Sequence, residues 1–272
     1  ALGYSPTGDV SEDCLFILYG TGRNGKSTFL NVLSKILGDY ACNTPAETLM
    51  ARKTDTISND VARLEGARLV TAYETEDNKR LAEAKIKALT GGDPITARFL
   101  HREYFEFWPT FKVFLATNHK PRIKGNDEGI WRRIKLLPCV NPIPKEDVDP
   151  YLNEKLLAEA PDILGWMVQG YKLWQDEGLE DPTAVKLATL EYRSESDVIG
   201  LFLADKTIED LSSVVSKQEL YEKYKSWAIQ NSEFPLSSHI FNKTMIERGY
   251  RDKRGTGGRR FWIGLSIVRK TL

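Results

Sequence analysis

A glycine-rich stretch near the start of the chain restricts the fold to a small set. It reads Gly20-Thr21-Gly22-Arg23-Asn24-Gly25-Lys26-Ser27, and Thr28 comes next. Glycines at these places let the backbone curl until successive N–H groups point inward at phosphate oxygens. Lys26 is then expected on the β- and γ-phosphates of a nucleotide, and the Ser27 hydroxyl on Mg²⁺. The stretch therefore predicts a site for ATP and Mg²⁺.

The neighbours of this loop support that prediction. Residues 14–19 are an apolar run of strand length, and residues 27–37 have apolar side chains at helical spacing before Gly38. A strand, the loop and a helix, in this order, are the usual setting of a phosphate-binding loop. A glycine turn that matched the pattern by accident would need neither neighbour.

Composition narrows the class of protein. The chain has 272 residues, 41% of them hydrophobic and 28% charged, which is typical of a globular protein with a real core. No apolar run is long enough for a bilayer, and nothing at the start resembles a signal peptide. Cys14, Cys42 and Cys139 lie far apart, and the three histidines are scattered. We therefore expect buried reduced thiols, no zinc site, no membrane partner, and a cytoplasmic protein of a bacterial or archaeal cell or a virus-encoded intracellular one.

The order of patterns along the chain predicts three parts. Residues 1–145 alternate strand-like and helical runs, including 69–73 and 112–116, and predict an α/β domain with a mostly parallel sheet. Pro142, Pro144 and Pro150 then break this pattern, and residues 146–208 have apolar residues at helical spacing, which predicts a helical region. Because the first residue is alanine and a strand follows closely, we expect a fragment of a longer chain.

Residues 209–272 have the pattern of a winged helix. Ser216 is expected to cap a helix that runs through Trp227, with Glu219 at the capping-box position, and a second helix is expected over 238–248. Strand-like pieces at 250–253 and 261–265 flank a glycine-rich turn. The whole chain has zero net charge, but residues 237–272 hold nine basic and two acidic residues, a local charge of 9 − 2 = +7. That surplus, which includes Lys253, Arg254, Arg259, Arg260, Arg269 and Lys270, favours a polyanion.

Polar residues after two strands are candidates for catalysis. Glu74 and Glu76 follow an apolar strand, and either could hold Mg²⁺ or activate water; two residues apart, they share a side if the strand continues. The alternative is a solvated acidic loop. Asn118 ends the strand 111–117 and is placed to contact a γ-phosphate, although asparagine at a strand end is commonly a turn residue.

Two further stretches carry basic residues. Arg132 and Arg133 stand together beside an apolar run, and each is either a surface ion-pairing residue or an arginine finger for a neighbouring subunit. Residues 91–107 have strand character on both sides of His101-Arg102-Glu103, which predicts a hairpin with a basic, aromatic-flanked tip. Such a tip can grip nucleic acid, and an exposed hairpin with ordinary surface charges is the alternative.

The order of these motifs resembles the superfamily 3 helicases, and more narrowly the phage and plasmid primase-helicase group related to poxvirus primase-helicases. The resemblance covers nearly the whole chain and rests on the P-loop and on residues 69–76, 89–93, 109–118 and 130–134, with 2–4 and 7–9 ahead of the loop. It implies a modified AAA+ ATPase fold and a homohexameric ring around DNA, which unwinds DNA with ATP. Many relatives carry a primase-polymerase domain, which would belong to the full-length chain.

The resemblance also implies roles for individual residues. Lys26 and Ser27 correspond to the Walker A residues, Glu74 and Glu76 to the Walker B acids, and Asn118 to sensor 1. Arg133 is the better candidate for the trans-acting finger and Arg132 the second. Arg98, His101 and Arg102 fall in the DNA-contacting presensor hairpin, where many relatives have a lysine at the tip. The C-terminal module corresponds to the winged helix that often follows the motor.

Three other functions compete with a helicase. A small-molecule P-loop kinase leaves the basic C-terminal module and the arginine pair without a purpose. A replication initiator or loader would keep the ATPase ring and remodel DNA without processive unwinding, and the sequence separates it poorly from a helicase. A DNA-binding module without enzymatic activity does not account for the P-loop, the acids and Asn118 together.

Overall fold

The computed structural model describes residues 1–52, 59–74, 76–77, 79–123 and 127–268. The chain divides into two compact units, Ala1–Arg193 and Ser194–Leu272. The boundary predicted between residues 208 and 209 falls inside a strand of the second unit, and the three-part division stays a prediction. Arg269 and Lys270 of the predicted basic surplus lie outside the described residues.

A five-stranded parallel sheet forms the centre of the first unit, so the predicted α/β class with a mostly parallel sheet is confirmed. Its strands stand in the order β2-β3-β6-β1-β7, and all four pairings are parallel. They are rich in aliphatic and aromatic residues because helices cover both faces. The strands are β1 (Leu15–Tyr19), β2 (Ala41–Asn43), β3 (Leu69–Glu74), β6 (Lys112–Thr117) and β7 (Ile134–Pro138).

Two apolar clusters pack against the faces of this sheet. Alternate residues of β1 show the division, since Leu15 and Ile17 enter one cluster and Phe16 and Leu18 the other. Helix α1 packs in the second cluster, where Leu30 and its neighbours are buried. The helices of this unit are α1 (Lys26–Leu37), α2 (Asn59–Ala62), α3 (Glu83–Thr90), α4 (Glu128–Trp131), α5 (Leu152–Ala158), α6 (Ala160–Glu177) and α7 (Thr183–Ser196), the last of which runs three residues past the unit boundary.

The first unit also contains a two-stranded hairpin outside the parallel sheet, as predicted. Strands β4 (Ile95–Ala97) and β5 (Phe105–Phe107) pair antiparallel, and residues 98–104 connect them. The helical region is also confirmed, since α5 to α7 lie within residues 150–205. Among the described residues, none of the helices has both the length and the apolar character needed to cross a bilayer.

The second unit packs three helices on a small antiparallel sheet. Its elements are α8 (Val198–Lys206), β8 (Thr207–Ser216), α9 (Lys217–Gln230), α10 (Ser238–Glu247), β9 (Asp252–Arg254) and β10 (Arg260–Ile267), and the strands stand in the order β8-β10-β9. Phe202, Tyr224, Phe241 and Trp262 are fully buried in its core. This core gives the unit an apolar interior of its own.

Two local predictions need correction, and one strand was missed. Ser216 does occupy the N-cap of α9, but its side chain makes no capping hydrogen bond, so the predicted capping box is absent. Strand β8 was not predicted, because most of its side chains are exposed and its alternation is broken. All three cysteines are free thiols, but only Cys14 is buried, while Cys42 and Cys139 are half-buried.

Candidate nucleotide-binding site

The predicted phosphate-binding loop connects β1 to α1 and turns through left-handed backbone conformations. Gly22 and Gly25 have φ angles of 105° and 79°, which only glycine adopts at little cost. Arg23 also has a positive φ, 48°, which is uncommon for a residue with a side chain. Strain of this kind persists where the surrounding structure enforces it, and it is typical of ligand-binding loops.

The first turn of α1 offers unpaired N–H groups. Its N-cap is Gly25, which provides no side-chain hydrogen bond, and the turn contains no acidic residue. The N–H groups at a helix start have no partner within the helix, and the helix dipole favours negative charge there. This end of α1 is therefore suited to an anion such as phosphate.

Lys26 lies buried inside the loop. Its Nζ donates to the carbonyl oxygen of Gly20 at 2.6 Å and to Oδ1 of Asn24 at 2.8 Å. Burial lowers the pKa of its ammonium from the ordinary value, because desolvation disfavours the charged form. A phosphate at the loop would supply the negative charge that this buried cation lacks.

The register of the sheet brings the other predicted residues to the side of the sheet where the parallel strands end, which we call the carboxyl edge. Tyr19 of β1 pairs with Thr117 of β6, and Thr117 pairs with Glu74 of β3. The N–H of Gly20, where the loop begins, donates to the carbonyl oxygen of Thr117 at 3.2 Å. Asn118 follows Thr117, is half-buried and therefore lies beside the loop. Glu74 lies at the end of the next strand, β3.

The two glutamates have different surroundings. Glu74 is the last residue of β3 and is only 6% exposed; its Oε1 accepts the N–H of Glu76 at 2.8 Å, and its Oε2 is buried without a hydrogen bond. Glu76 lies beyond the strand, is exposed, and forms an ion pair with Lys79 at 2.7 Å. The strand ends before Glu76, so the two carboxylates do not follow one strand face. Of the two, Glu74 is the one with a buried oxygen that has no hydrogen bond.

The donor set at this edge fits Mg²⁺. The ion prefers oxygen ligands and keeps several waters, so one carboxylate, one hydroxyl and phosphate oxygens satisfy it. Glu74 presents its unpaired Oε2, and the exposed Ser27 lies in the first turn of α1. Within the described part of the chain there is no group of three or more His, Cys, Asp or Glu side chains that could hold a metal by themselves.

Arg132 and Arg133 lie at the opposite side of the sheet, where the parallel strands begin, which we call the amino edge. The carbonyl oxygen of Arg133 accepts the N–H of Leu15, the first residue of β1, at 2.7 Å. The five residues of β1 thus separate both arginines from the loop, roughly 16 Å at about 3.3 Å per residue. Neither arginine was expected to act on its own chain's loop, and this separation agrees with that.

The two arginines differ in accessibility. Arg133 is 8% exposed and donates to Thr90 Oγ1, the Gly129 carbonyl oxygen and Asp13 Oδ2, at 3.1, 2.8 and 3.0 Å. Arg132 shares Asp13 at 3.1 Å, but 61% of its side chain is exposed. Arg132 is therefore the arginine available to another molecule, whereas the sequence favoured Arg133.

The hairpin tip and the C-terminal hairpin both present basic side chains. Arg98, His101 and Arg102 are exposed, with the Arg98 guanidinium 4.7 Å from the Tyr104 ring centroid and His101 at a φ of 61°. Trp108, just after β5, is 64% exposed and was not singled out from the sequence. In the second unit, Lys253, Arg254, Arg259 and Arg260 are exposed.

Sequence reasoning missed the contact between the loop and residues 139–143. The carbonyl oxygen of Cys139 accepts a hydrogen bond from Asn24 Nδ2 at 2.5 Å, and the N–H of Ile143 donates to the carbonyl oxygen of Arg23 at 2.6 Å. Residues 139–143 follow β7, more than a hundred residues from the loop. Nothing local in the sequence indicates this contact, because it depends on β7 pairing with β1.

Comparisons with known proteins agree with the fold and with a coarse assignment. A family of unknown function, DUF5906, matches residues 18–133. Putative helicase L207/L206 of Acanthamoeba polyphaga mimivirus is 29% identical over 83% of this chain and 26% of that protein. Putative helicase 022R of Frog virus 3 is 27% identical over 78% and 24%, and Putative primase C962R of African swine fever virus (strain Badajoz 1971 Vero-adapted) is 24% identical over 85% and 26%. The chain thus spans about a quarter of the length of these relatives.

Solved structures with the same fold also exist. The apo NrS-1 C-terminal region matches with a TM-score of 0.58 and 14% identity, covering 94% of this chain and 67% of that one. Its A form matches with a TM-score of 0.53 and 13% identity over the same shares. The chain is therefore similar to viral proteins named as helicases and primases, which supports the resemblance at that coarse level, and this likeness of structure concerns the fold alone.

Proposed function

We propose that this chain is the ATPase motor of a superfamily 3 DNA helicase, which acts in the replication of a phage, plasmid or other mobile element. The observation that carries the proposal is the carboxyl edge of the sheet. There, an uncapped helix start, a buried lysine and a buried, unpaired carboxylate oxygen meet within three neighbouring strands. Because buried polar groups are normally paired, this edge is prepared for a ligand with phosphates and a cation.

The residues at this edge divide the chemistry of ATP hydrolysis among them. The N–H groups of residues 21–28 bind the phosphates, since that of Gly20 is donated to Thr117, and Lys26 neutralises charge that develops on the β- and γ-phosphates. Ser27 would hold Mg²⁺, which when bound withdraws charge from the phosphate oxygens. Glu74 has one carboxylate oxygen without a hydrogen bond, Oε2, and with it either completes the Mg²⁺ site or orients the attacking water and accepts its proton. Asn118, one strand nearer the loop, contacts the γ-phosphate. β6 between β1 and β3 sets these distances.

A neighbouring copy of the chain completes the site. Arg132 is exposed at the far edge of the sheet, so it reaches a nucleotide only across an interface between subunits. Such a finger stabilises charge in the transition state. Buried Arg133 supports Arg132 through their shared partner Asp13. A closed ring, for which we propose six copies, gives every site one finger.

Two basic surfaces of the chain bind DNA. The β4–β5 hairpin carries Arg98, His101 and Arg102, and the exposed rings of Tyr104 and Trp108 are suited to stacking on bases of a single strand. The second unit has the element order of a winged helix, with β9 and β10 as the wing, and its exposed lysine and arginines are suited to phosphates of a duplex. Both contacts should weaken steeply with salt.

The first test is the ATPase rate with and without single-stranded DNA, measured beside light scattering for mass and strand displacement on a forked duplex. Stimulation by DNA in a species of hexamer mass, with displacement, supports the helicase. Nucleotide-dependent duplex binding without displacement favours an initiator or loader instead, which the basic wing would also serve. A monomer with a fast rate indifferent to DNA contradicts both and favours a phosphotransferase.

A further inference from the structure

Asn24 is a loop residue whose side chain bonds in two directions. Its Oδ1 accepts a hydrogen bond from Lys26 Nζ at 2.8 Å, and its Nδ2 donates to the carbonyl oxygen of Cys139 at 2.5 Å. Cys139 directly follows β7, the edge strand beside β1. A single amide therefore joins the buried ammonium of the loop to the segment that leaves the sheet.

A second contact and a tight approach tie the same two segments. The N–H of Ile143 donates to the carbonyl oxygen of Arg23 at 2.6 Å. A Cβ atom on Gly20 would lie 2.1 Å from the Cys139 carbonyl oxygen and 2.3 Å from Asn24 Nδ2. No side chain fits between them, so the loop and residues 139–143 meet directly.

The amide of Asn24 is chemically suited to this position. The ammonium of Lys26 has three N–H donors, of which Gly20 and Asn24 receive two, so one is left for a phosphate oxygen. An amide supplies both an acceptor for the ammonium and a donor for the carbonyl group. A carboxylate supplies only the acceptor, and an aliphatic side chain supplies neither.

We propose that Asn24 is a positioning residue that aims the ammonium of Lys26 at the phosphates and couples the loop to residues 139–143. The inference rests on the proposed function, because it places a nucleotide at the loop. When a phosphate oxygen attracts the ammonium, the hydrogen bonding of Asn24 changes. Residues 139–143 lead towards α5, so the change reaches the helices that follow the sheet.

Two variants of Asn24 separate its roles. Asn24→Leu removes both hydrogen bonds at similar volume, whereas Asn24→Asp keeps an oxygen for Lys26 and loses the donor to Cys139. We expect Asn24→Leu to raise the KM for ATP about tenfold with a smaller effect on kcat. In both variants, the N–H of Ile143 should exchange with deuterium at least about tenfold faster in the absence of nucleotide, because the tether to Cys139 is lost.

A glycine variant tests the tether while leaving residues 24 and 26 as asparagine and lysine. Gly20→Ala places a Cβ against both the Cys139 carbonyl group and Asn24 Nδ2, so it should accelerate exchange at Ile143 as Asn24→Asp does. Gly92→Ala is the matched control, since a Cβ there meets nothing within 4 Å. Asn24→Asp and Gly20→Ala carry the test if Asn24→Leu does not fold.

The outcomes distinguish this inference from the proposed function. Suppose that the wild-type protein binds ATP and Lys26→Ala does not. Unchanged KM and Ile143 exchange in the Asn24 variants would then show that Asn24 does not position the ammonium. If the wild-type protein binds no ATP, the proposed function fails. Exchange at Ile143 without nucleotide then still decides whether Asn24 holds the segment.

Discussion

The two edges of the parallel sheet treat buried polar groups in opposite ways. At the carboxyl edge, Glu74 Oε2 has no hydrogen bond and α1 begins without a side-chain cap. At the amino edge, Arg133 and Lys112 are equally buried, yet each makes three hydrogen bonds. A buried polar group without a partner lowers stability, so we expect a ligand to pair the groups at the carboxyl edge, whereas the groups at the amino edge are paired within the chain.

The largest effect expected from this difference is at Lys26. Lys26→Ala should lower the ATPase rate at least about a thousandfold, roughly 4 kcal/mol of transition-state stabilisation, and weaken nucleotide binding. Steady-state ATP hydrolysis and titration with a fluorescent nucleotide measure both. Lys35→Ala, on an exposed residue of the same helix, is the control and should behave as the wild type. Equal rates in the two variants would contradict a role for the carboxyl edge.

The next effect separates the two glutamates. Glu74→Gln should bind ATP but hydrolyse it about a hundredfold more slowly, because the amide cannot accept the proton of water. Glu76→Gln removes only an exposed ion pair with Lys79 and should stay within about twofold of the wild type. Single-turnover hydrolysis after confirmed ATP binding makes the comparison. The reverse result would assign the base to Glu76.

Alanine substitutions of Arg133 and Arg132 test the amino edge. Arg133→Ala should lower the free energy of unfolding by about 2 kcal/mol, less than for a fully buried pair because Asp13 is partly exposed. Arg132→Ala should change it by less than about 0.5 kcal/mol but abolish hydrolysis in the assembled protein. Urea denaturation and ATPase assays measure the two effects.

Mixed assemblies decide whether Arg132 acts across an interface. Arg132→Ala and Lys26→Ala subunits, both inactive alone, should recover part of the activity when mixed, because some interfaces then join an intact loop to an intact finger. A mixture that stays inactive at every ratio would argue against a trans role. Equal destabilisation by the two arginine variants would remove the contrast between them.

A different kind of effect is the pH dependence of stability at Lys112. Burial lowers the pKa of this ammonium from 10.5 to about 7, and the unfolded chain returns it to the ordinary value. Between those pH values the unfolded state binds more protons, so this group raises the free energy of unfolding as pH rises and removes that gain as pH falls towards 7. The slope is at most about 1.4 kcal/mol per pH unit. Lys112→Met should flatten the profile in urea titrations from pH 7 to 10, and an unchanged slope would contradict the shift.

Local signals predicted the parts of the site that are continuous in sequence. The glycine spacing placed the loop, and the apolar runs placed β1, β3 and β6, since both depend on neighbouring residues. Strand β8 was missed because Leu211 and its neighbours are exposed and its pairing with β10 spans about fifty residues. Predicting β8 requires knowledge of the strand to which it binds.

The sequence also could not decide which of two nearby residues of the same type has the functional position. Glu74 and Glu76 differ because β3 ends between them, and Arg132 and Arg133 differ because only one side chain turns towards Thr90. The contact of Asn24 with Cys139 spans 115 residues. Each of these outcomes depends on tertiary packing, to which residue type and spacing are insensitive.

The bare start of α1 has a practical consequence for handling the protein. With glycine at the N-cap, no side chain competes for the first N–H groups of the helix, so small oxyanions such as phosphate and sulfate are expected to occupy the loop. An anion that binds only the folded state stabilises it by about 2.7 kcal/mol at a hundred times its Kd. Melting temperatures should therefore depend on the buffer, and ATP affinities measured in phosphate buffer would be underestimates.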